Sequence, residues 1–233
     1  MRYRLTALKN GQCGVKDYIT FGDEWSERVR TYFLYVWLIE GGERPIVVDT
    51  GPADVEEFNA ATREYIPIGV TQAPDETTDG ALAKAGVDPA DVGHVLITHT
   101  HGDHFSNYPL FANAKVIVNR NAFPGGAESA PEDLRDRLVL VGDEEVLPGI
   151  RTFHVGAHSP DSQGIAIDTA AGVVVLAGDA AYMFENLERD RPIRAENVEA
   201  CRAALAVLKS RGDVVLPGHD PLIMERYPGG RIA

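Results

Sequence analysis

Short apolar runs recur along the whole chain, separated by polar residues, glycine and proline. Eight of these runs are rich in Val and Ile and predict β-strands, at residues 33–39, 46–48, 95–98, 116–118, 152–155, 164–167, 173–177 and 214–216. Three intervening stretches predict helices, at residues 54–64, 80–85 and 195–210. The last has the clearest helical periodicity, with one apolar face formed by Val198, Cys201, Leu205 and Leu208. Strands interrupted by helices predict a mixed α/β or α+β domain.

Two stretches, residues 67–79 and 123–131, show no periodicity and predict loops, the first of them mobile. Loops of this kind often frame an active site, although most are ordinary surface connections. The sequence leaves open whether either loop covers a pocket.

Length and composition indicate a globular protein. The chain has 233 residues, 44% hydrophobic and 24% charged, which suits one domain spanning residues 1–233. Its net charge of −13, without clustered Lys and Arg, disfavours nucleic acid and anionic membranes as partners. The two cysteines, Cys13 and Cys201, form neither a disulfide framework nor a Cys-x-x-Cys pair. With no secretory pattern and no apolar run of about 18 residues, a cytoplasmic protein is expected.

The candidate chemistry begins with a histidine-rich motif after the apolar run 95–98. Three of the seven histidines lie within six residues, in His99-Thr100-His101-Gly102-Asp103-His104. Alternate residues of an extended chain point the same way, so His99 and His101 can reach one metal ion. Asp103 and His104 can then turn towards a second ion. Three imidazoles held together without a metal would be poorly satisfied, which disfavours an accidental cluster.

Further ligand types follow three later predicted strands. His158 comes after run 152–155, Asp179 after run 173–177 and His219 after run 214–216. A single histidine in such a place is more often structural, but four strand-end segments with ligand types favour a metal site. Two metal ions need about seven N and O ligands, which these residues provide.

Together with Asp49 in Val47-Val48-Asp49-Thr50-Gly51, these segments resemble the metallo-β-lactamase superfamily, in the same order and over nearly the whole chain. The resemblance implies an α+β fold, the αββα sandwich, in which two mixed β-sheets pack face to face between helices. It assigns His99, His101 and His158 to one metal ion, Asp103, His104 and His219 to the other, and Asp179 to both as a bridge. It also implies that Asp49 supports the histidine loop without binding metal.

Within the superfamily, the segment 178–186 is most similar to the N-acyl-homoserine lactonases, whose tyrosine three residues after the bridging aspartate is matched by Tyr182. Asp179 stands where true β-lactamases have cysteine or serine, which disfavours antibiotic hydrolysis. Only 14 residues follow His219, too few for the glutathione-binding domain of the glyoxalase II branch. A glyoxalase II-like thioesterase, or another small-molecule ester hydrolase on this scaffold, remains the alternative. A phosphodiesterase or a non-catalytic binding protein is less favoured.

Two departures from the lactonase pattern leave the ligands unchanged. Gly102 stands where that branch often has a bulky residue. The usual Gly-His-Ser/Thr-Pro-Gly-His segment reads Ala157-His158-Ser159-Pro160-Asp161-Ser162. These changes leave the acyl-chain preference open.

The expected reaction is the opening of a lactone or a related small cyclic ester or amide. Two divalent ions about 3.5–4 Å apart can share a water and lower its pKa, so that hydroxide attacks the carbonyl. Tyr182 would stabilise the oxyanion and Asp103 would carry the proton to the leaving alkoxide, although Tyr182 could instead be a core residue. Zn²⁺ is the favoured ion, and Fe²⁺, Mn²⁺ or Co²⁺ also suit the ligands. The expected partner is a small-molecule substrate, and a homodimer is left open.

Overall fold

A computed structural model of the protein describes residues 2–233. The strands β1 to β12 span Arg4–Lys16, Val29–Glu40, Ile46–Val48, Ile68–Thr71, His94–Leu96, Lys115–Asn119, Leu138–Val141, Glu144–Leu147, Ile150–His154, Gln163–Thr169, Gly172–Leu176 and Val214–Leu216. The helices α1 to α7 span Asp17–Thr20, Val55–Thr62, Thr78–Lys84, Gly102–Phe105, Phe184–Glu188, Val198–Ser210 and Leu222–Arg226. Met1, which the single-domain prediction includes, lies outside the described residues, and that prediction stays a prediction.

The strands form two mixed sheets that pack face to face. One sheet has the order β4-β1-β2-β3-β5-β6-β7 and the other the order β12-β11-β10-β9-β8. Their inner faces share one apolar core, to which Leu96 of β5 and Ile165 of β10 both belong. The outer face of the first sheet packs against Leu82 of α3, and that of the second against Leu205 of α6. The predicted α+β sandwich is therefore confirmed.

All eight predicted strands are present, β3 and β12 with the predicted bounds and the other six with shifted ends, but β1, β4, β7 and β8 were not predicted. The apolar alternation of β1 is interrupted by Lys9, Asn10 and Gly11, where the register with β2 also shifts. The prediction that residues 67–79 form a mobile loop is wrong in part, because β4 lies there and pairs with β1 at the sheet edge. This edge strand buries little besides Val70, so its sequence carries no strand pattern.

Parallel strand pairs bring the candidate site residues to one edge of the sandwich. The strands β3 and β5 run parallel, and Asp49 and the histidine motif follow them. The strands β11 and β12 of the other sheet also run parallel, and Asp179 and His219 follow them. The backbone N–H of Gln163 donates to the carbonyl of Thr98 at 2.9 Å, which joins the two sheets at this edge. Residues far apart in the chain therefore meet there.

Among the described helices, none has both the length and the apolar character that crossing a bilayer requires.

The shared core supports the histidine motif directly, which predicts a large cost for Leu96→Ala. Leu96 is 0% exposed in the core between the sheets, and its truncation should destabilise the protein by about 2–5 kcal/mol. The matched control Leu222→Ala, at a side chain that is 38% exposed, should change stability by less than about 0.5 kcal/mol. Urea unfolding of both variants measures the difference, and equal costs would contradict this account of the core.

Candidate metal centre

The histidine motif changes from extended chain to helix within six residues. His101 is the N-cap of α4 and has extended backbone angles, so His99 and His101 still alternate as in a strand. The backbone N–H of His104 donates to the carbonyl of His101 at 3.0 Å, which starts the helical turn. This turn brings Asp103 and His104 into a second group of potential ligands, as the sequence predicted.

His99, His101, His158 and Asp179 form one group of potential ligands. The Nδ1 atom of His101 lies 3.1 Å from His99 Nε2 and 2.9 Å from His158 Nε2. The carboxylate Oδ2 of Asp179 lies 3.4 Å from His158 Nε2 and 3.7 Å from His99 Nε2. Three imidazole nitrogens and one carboxylate oxygen thus converge on a single small volume.

Asp103, His104 and His219 form a second group beside the first. The other oxygen of Asp179, Oδ1, lies 3.2 Å from His104 Nε2 and 2.9 Å from His219 Nε2. Asp103 Oδ2 lies 3.5 Å from His104 Nε2 and 3.9 Å from His219 Nε2. The two oxygens of Asp179 therefore face different groups.

The donor set fits divalent cations. Within the described chain, His104 Nε2 and Asp179 Oδ1 are buried side-chain atoms without a hydrogen-bond partner. Such atoms are costly to bury unless something else satisfies them, and both lie where the ligand atoms converge. Imidazole nitrogens and carboxylate oxygens are ligands that Zn²⁺ and neighbouring transition metals accept. All seven residues that the sequence predicted as ligands are brought together, and their individual roles stay proposals.

Hydrogen bonds on the far side of two imidazoles orient their free nitrogens. His104 Nδ1 lies 2.8 Å from Asp49 Oδ2, and His219 Nδ1 lies 2.9 Å from the carbonyl oxygen of Phe33. Because a carboxylate and a carbonyl only accept, both Nδ1 atoms donate and both Nε2 lone pairs face the centre. Asp49 also accepts from the N–H of Thr98 at 2.8 Å, which fixes the start of the histidine motif.

Burial and charge act in opposite directions on three imidazoles and the central carboxylate. Burial holds the pKa of His99 well below its usual value and lowers that of His158 to about 4, so both are neutral ligand types at pH 7. Burial would also lower the pKa of His104, but Asp103, Asp179 and Asp49 reverse this effect and raise it well above its usual value. Burial alone would raise the pKa of Asp179, but the surrounding imidazoles hold it well below its usual range. The carboxylates therefore favour positive charge between them, which a bound cation would supply.

Tyr182 lies beside the first group. Its hydroxyl oxygen is 3.1 Å from His158 Nδ1, and its ring packs at a tilted angle against Tyr32. Burial, followed by the charge of Asp179, raises the pKa of Tyr182 well above its usual value, so the hydroxyl keeps its proton at neutral pH. A protonated phenol in this position is a hydrogen-bond donor next to the centre.

A cavity of about 1090 Å³ opens onto both groups. Its lining includes Asp103, Asp179 and Tyr182, and its wall continues over apolar side chains of β1 and α2, among them Val15 and Phe58. None of the described residues in the predicted loops 67–79 and 123–131 lines it. The wall is built instead from α2 and from residues 194–200.

Sequence reasoning missed two contributors to the site. The carbonyl of Phe33 orients His219, and a backbone group carries no side-chain signal. Asp161 is buried and accepts a 2.8 Å hydrogen bond from the N–H of Thr100, between two histidines of the first group. Its only signal was the departure of its segment from the lactonase pattern.

Comparisons with known proteins relate this chain to one superfamily and fold. The family model of the metallo-beta-lactamase superfamily matches residues 30–219. An N-acyl homoserine lactonase of Bacillus sp. is 28% identical over 203 residues, which cover 80% of this chain and 81% of that protein. The structure of a B. thuringiensis AiiA variant with N-decanoyl-L-homoserine bound superposes with a TM-score of 0.81 at 24% identity, covering 97% of both chains. AidC, a dizinc quorum-quenching lactonase, superposes with a TM-score of 0.70 at 16% identity, covering 97% of this chain and 89% of AidC.

The contacts of Asp49 predict a defect in metal affinity for Asp49→Asn. The amide would place an N–H₂ donor or a weaker acceptor opposite His104 Nδ1, so the second group should bind its ion about 10–100-fold more weakly. Chelator competition measures this affinity. Asp168→Asn, which makes the same change in a partly exposed ion pair with Arg151, is the control and should bind metal like the parent. Unchanged affinity in Asp49→Asn would contradict the orienting role.

Proposed function

The chain belongs to the metallo-β-lactamase superfamily and is a metal-dependent hydrolase, and we propose that it opens the ring of a lactone at a dinuclear centre. Zn²⁺ is the favoured ion, with Fe²⁺, Mn²⁺ or Co²⁺ also suited to these ligands. The proposed ligands are the seven residues of the two groups, with Asp179 shared between them.

The position of Asp179 carries this proposal. One of its carboxylate oxygens lies within 3.7 Å of ligand nitrogens of the first group, and the other lies within 3.2 Å of ligand nitrogens of the second. A carboxylate that faces two sets of imidazoles from opposite oxygens suits two ions better than one. When bound, such ions would supply an activated water and a Lewis acid for the ester carbonyl.

Tyr182 would stabilise the charge that develops on the carbonyl oxygen. If His158 turns its Nε2 lone pair towards a cation, its Nδ1 carries the proton and donates to the Tyr182 oxygen. The hydroxyl proton of Tyr182 is then free to be donated to the substrate. Its raised pKa keeps that proton in place at neutral pH.

Asp103 would carry the proton to the leaving alkoxide. Its side chain is 15% exposed and lines the cavity, whereas the side chains of His104 and His219 are 4% exposed. Among the proposed ligands of the second group, Asp103 is therefore the one that offers a carboxylate oxygen to a bound substrate.

The substrate class is inferred from the relatives and from the cavity wall. The Bacillus relatives are named N-acyl homoserine lactonases, and the wall beyond the centre is largely apolar, as an acyl arm would require. We therefore propose a lactone similar to an N-acyl-homoserine lactone, or a related small cyclic ester or amide, as the small-molecule partner. A cytoplasmic location and a homodimer stay predictions.

The metal content tests the dinuclear proposal first. Elemental analysis of protein purified without chelator should approach two divalent ions per chain, because each proposed ion receives four ligands when Asp179 is shared. A reproducible value of one ion with full activity would exclude a dinuclear reaction.

The relative rates of lactone and thioester cleavage, measured by proton release, test the substrate class. The loaded protein should open N-acyl-homoserine lactones of several chain lengths faster than it cleaves S-lactoylglutathione or simple acyl thioesters. Faster cleavage of the thioesters would favour the glyoxalase II-like alternative, and no cleavage of either class would exclude both.

Tyr182→Phe separates the proposed role of the hydroxyl from a packing role. Loss of one donor to the developing charge should lower turnover by roughly 10–10³-fold while both ions stay bound. The ring is retained, so the melting temperature should change little. If Tyr182 were only a core residue, stability would fall by about 1–3 kcal/mol and turnover per folded molecule would be normal.

A further inference from the structure

Asp161 is a buried carboxylate that the proposed reaction does not use. It lies three residues after His158, is 5% exposed, and stands where the lactonase pattern has glycine. Within residues 2–233, its carboxylate accepts hydrogen bonds from Thr100 and Ser159 alone. Each of these residues is the neighbour of a proposed metal ligand.

The first carboxylate oxygen holds the histidine motif. The backbone N–H and the side-chain hydroxyl of Thr100 both donate to Asp161 Oδ2, each at 2.8 Å. Thr100 lies between His99 and His101, so the peptide that connects these two ligands is fixed at its centre. Hydrogen bonds to an ionised carboxylate are stronger than neutral ones.

The second carboxylate oxygen holds the turn that carries His158. The hydroxyl of Ser159 donates to Asp161 Oδ1 at 2.7 Å, and the N–H of Ser159 donates to the hydroxyl of Ser162 at 3.1 Å. The turn is also strained, because Ala157 has a φ of +70°, which non-glycine residues rarely adopt. Asp161 thus ties the turn of His158 to Thr100, in addition to the backbone hydrogen bond from Gln163 to Thr98 that links the same two segments.

We propose that Asp161 is a positioning residue that joins the segments of His101 and His158 and thereby sets the metal affinity of the first ligand group. This inference rests on the proposed metal-dependent function. The Nδ1 atom of His101 and the Nε2 atom of His158 lie 2.9 Å apart, and two lone pairs at that distance repel each other when no cation lies between them. A support that holds them together before binding reduces the cost of ordering the site.

The two ligand groups differ in their main carboxylate support, although Asp49 also holds Thr98 beside His99. Asp49 bonds directly to His104 in the second group, whereas Asp161 bonds to the neighbours of His99, His101 and His158 in the first. Its negative charge also favours a cation in that group. Removal of the Asp161 carboxylate should consequently weaken the binding of one ion and leave the binding of the other unchanged.

Chelator competition on the metal-loaded protein tests this selectivity. Asp161→Asn, which removes the charge, should release one ion at about 10–100-fold lower chelator concentration than the parent. Thr100→Val removes the hydroxyl donor and keeps the backbone N–H. It should lower the chelator concentration that releases the same ion by a smaller factor. Asp168→Asn is the control for the same chemical change at a partly exposed ion pair and should match the parent.

The same substitutions made in a His219→Ala variant identify which ion is affected. His219→Ala removes a ligand of the second group, so the ion that remains should belong to the first group. Adding Asp161→Asn to the His219→Ala variant should lower the affinity for the remaining ion by the same factor. Adding Asp49→Asn instead should have a much smaller effect, because Asp49 bonds to His104.

The outcomes separate a positioning role from a structural one. The melting temperatures of the metal-free parent and of metal-free Asp161→Asn should be similar. A lower melting temperature with unchanged metal affinity would overturn the proposal, as would equal weakening of both ions. A parent that binds two ions but opens no lactone would refute the proposed substrate while leaving the role of Asp161 to be decided by the chelator series. A parent that binds no divalent ion would refute both.

Discussion

The convergence of unshared electron pairs at one edge of the sandwich is the constraint on which the site depends. Imidazole nitrogens of His99, His101 and His158 lie about 3 Å apart, and the buried carboxylate of Asp179 lies beside them. Where these nitrogens present lone pairs to one another and to the carboxylate, their arrangement is unfavourable without positive charge between them. A protein that keeps this arrangement must hold it with contacts from outside the cluster.

Those contacts come from different strands, which links the chemistry to the register of the sheets. The Phe33 carbonyl of β2 accepts from His219, and the N–H of Phe33 donates to the carbonyl of His219, so the two residues form a reciprocal pair. Asp49 after β3 and Asp161 before β10 supply the other supports. A shift of one residue in the pairing of β2 or β3 would displace the Phe33 carbonyl and Asp49 from these imidazoles. The sandwich therefore determines which nitrogen of His104 and of His219 faces the centre.

The predictable parts of the structure are those that depend on short, continuous stretches of the sequence. The motif from His99 to His104 carries four ligand types within six residues, and each later ligand follows an apolar run, so the cluster was predictable before the fold. The edge strand β4 was not, because an edge strand with one buried side chain has no alternation to detect. The contact of Asp161 was not predictable either, since it depends on Thr100 lying opposite a turn some sixty residues later in the chain. Short sequence patterns predict which residues are buried and which are potential ligands. Contacts between distant segments depend on tertiary packing, which such patterns do not predict.

The cavity wall and the two groups of potential ligands are held by different contacts. Gly102 has no side chain, and a Cβ atom there would lie 3.2 Å from the ring of Phe58, which lines the cavity from α2. The ring therefore occupies space that a bulky residue beside Asp103 would otherwise need. The helix α2 buries none of its residues, in contrast to the anchored ligands. Substitutions on α2 can thus reshape the wall at little cost to the fold, while the ligands are fixed by Asp49, Asp161 and the Phe33 carbonyl. Because the wall and the two groups of potential ligands are supported by different contacts, the shape of the cavity can change while the arrangement of these groups is preserved.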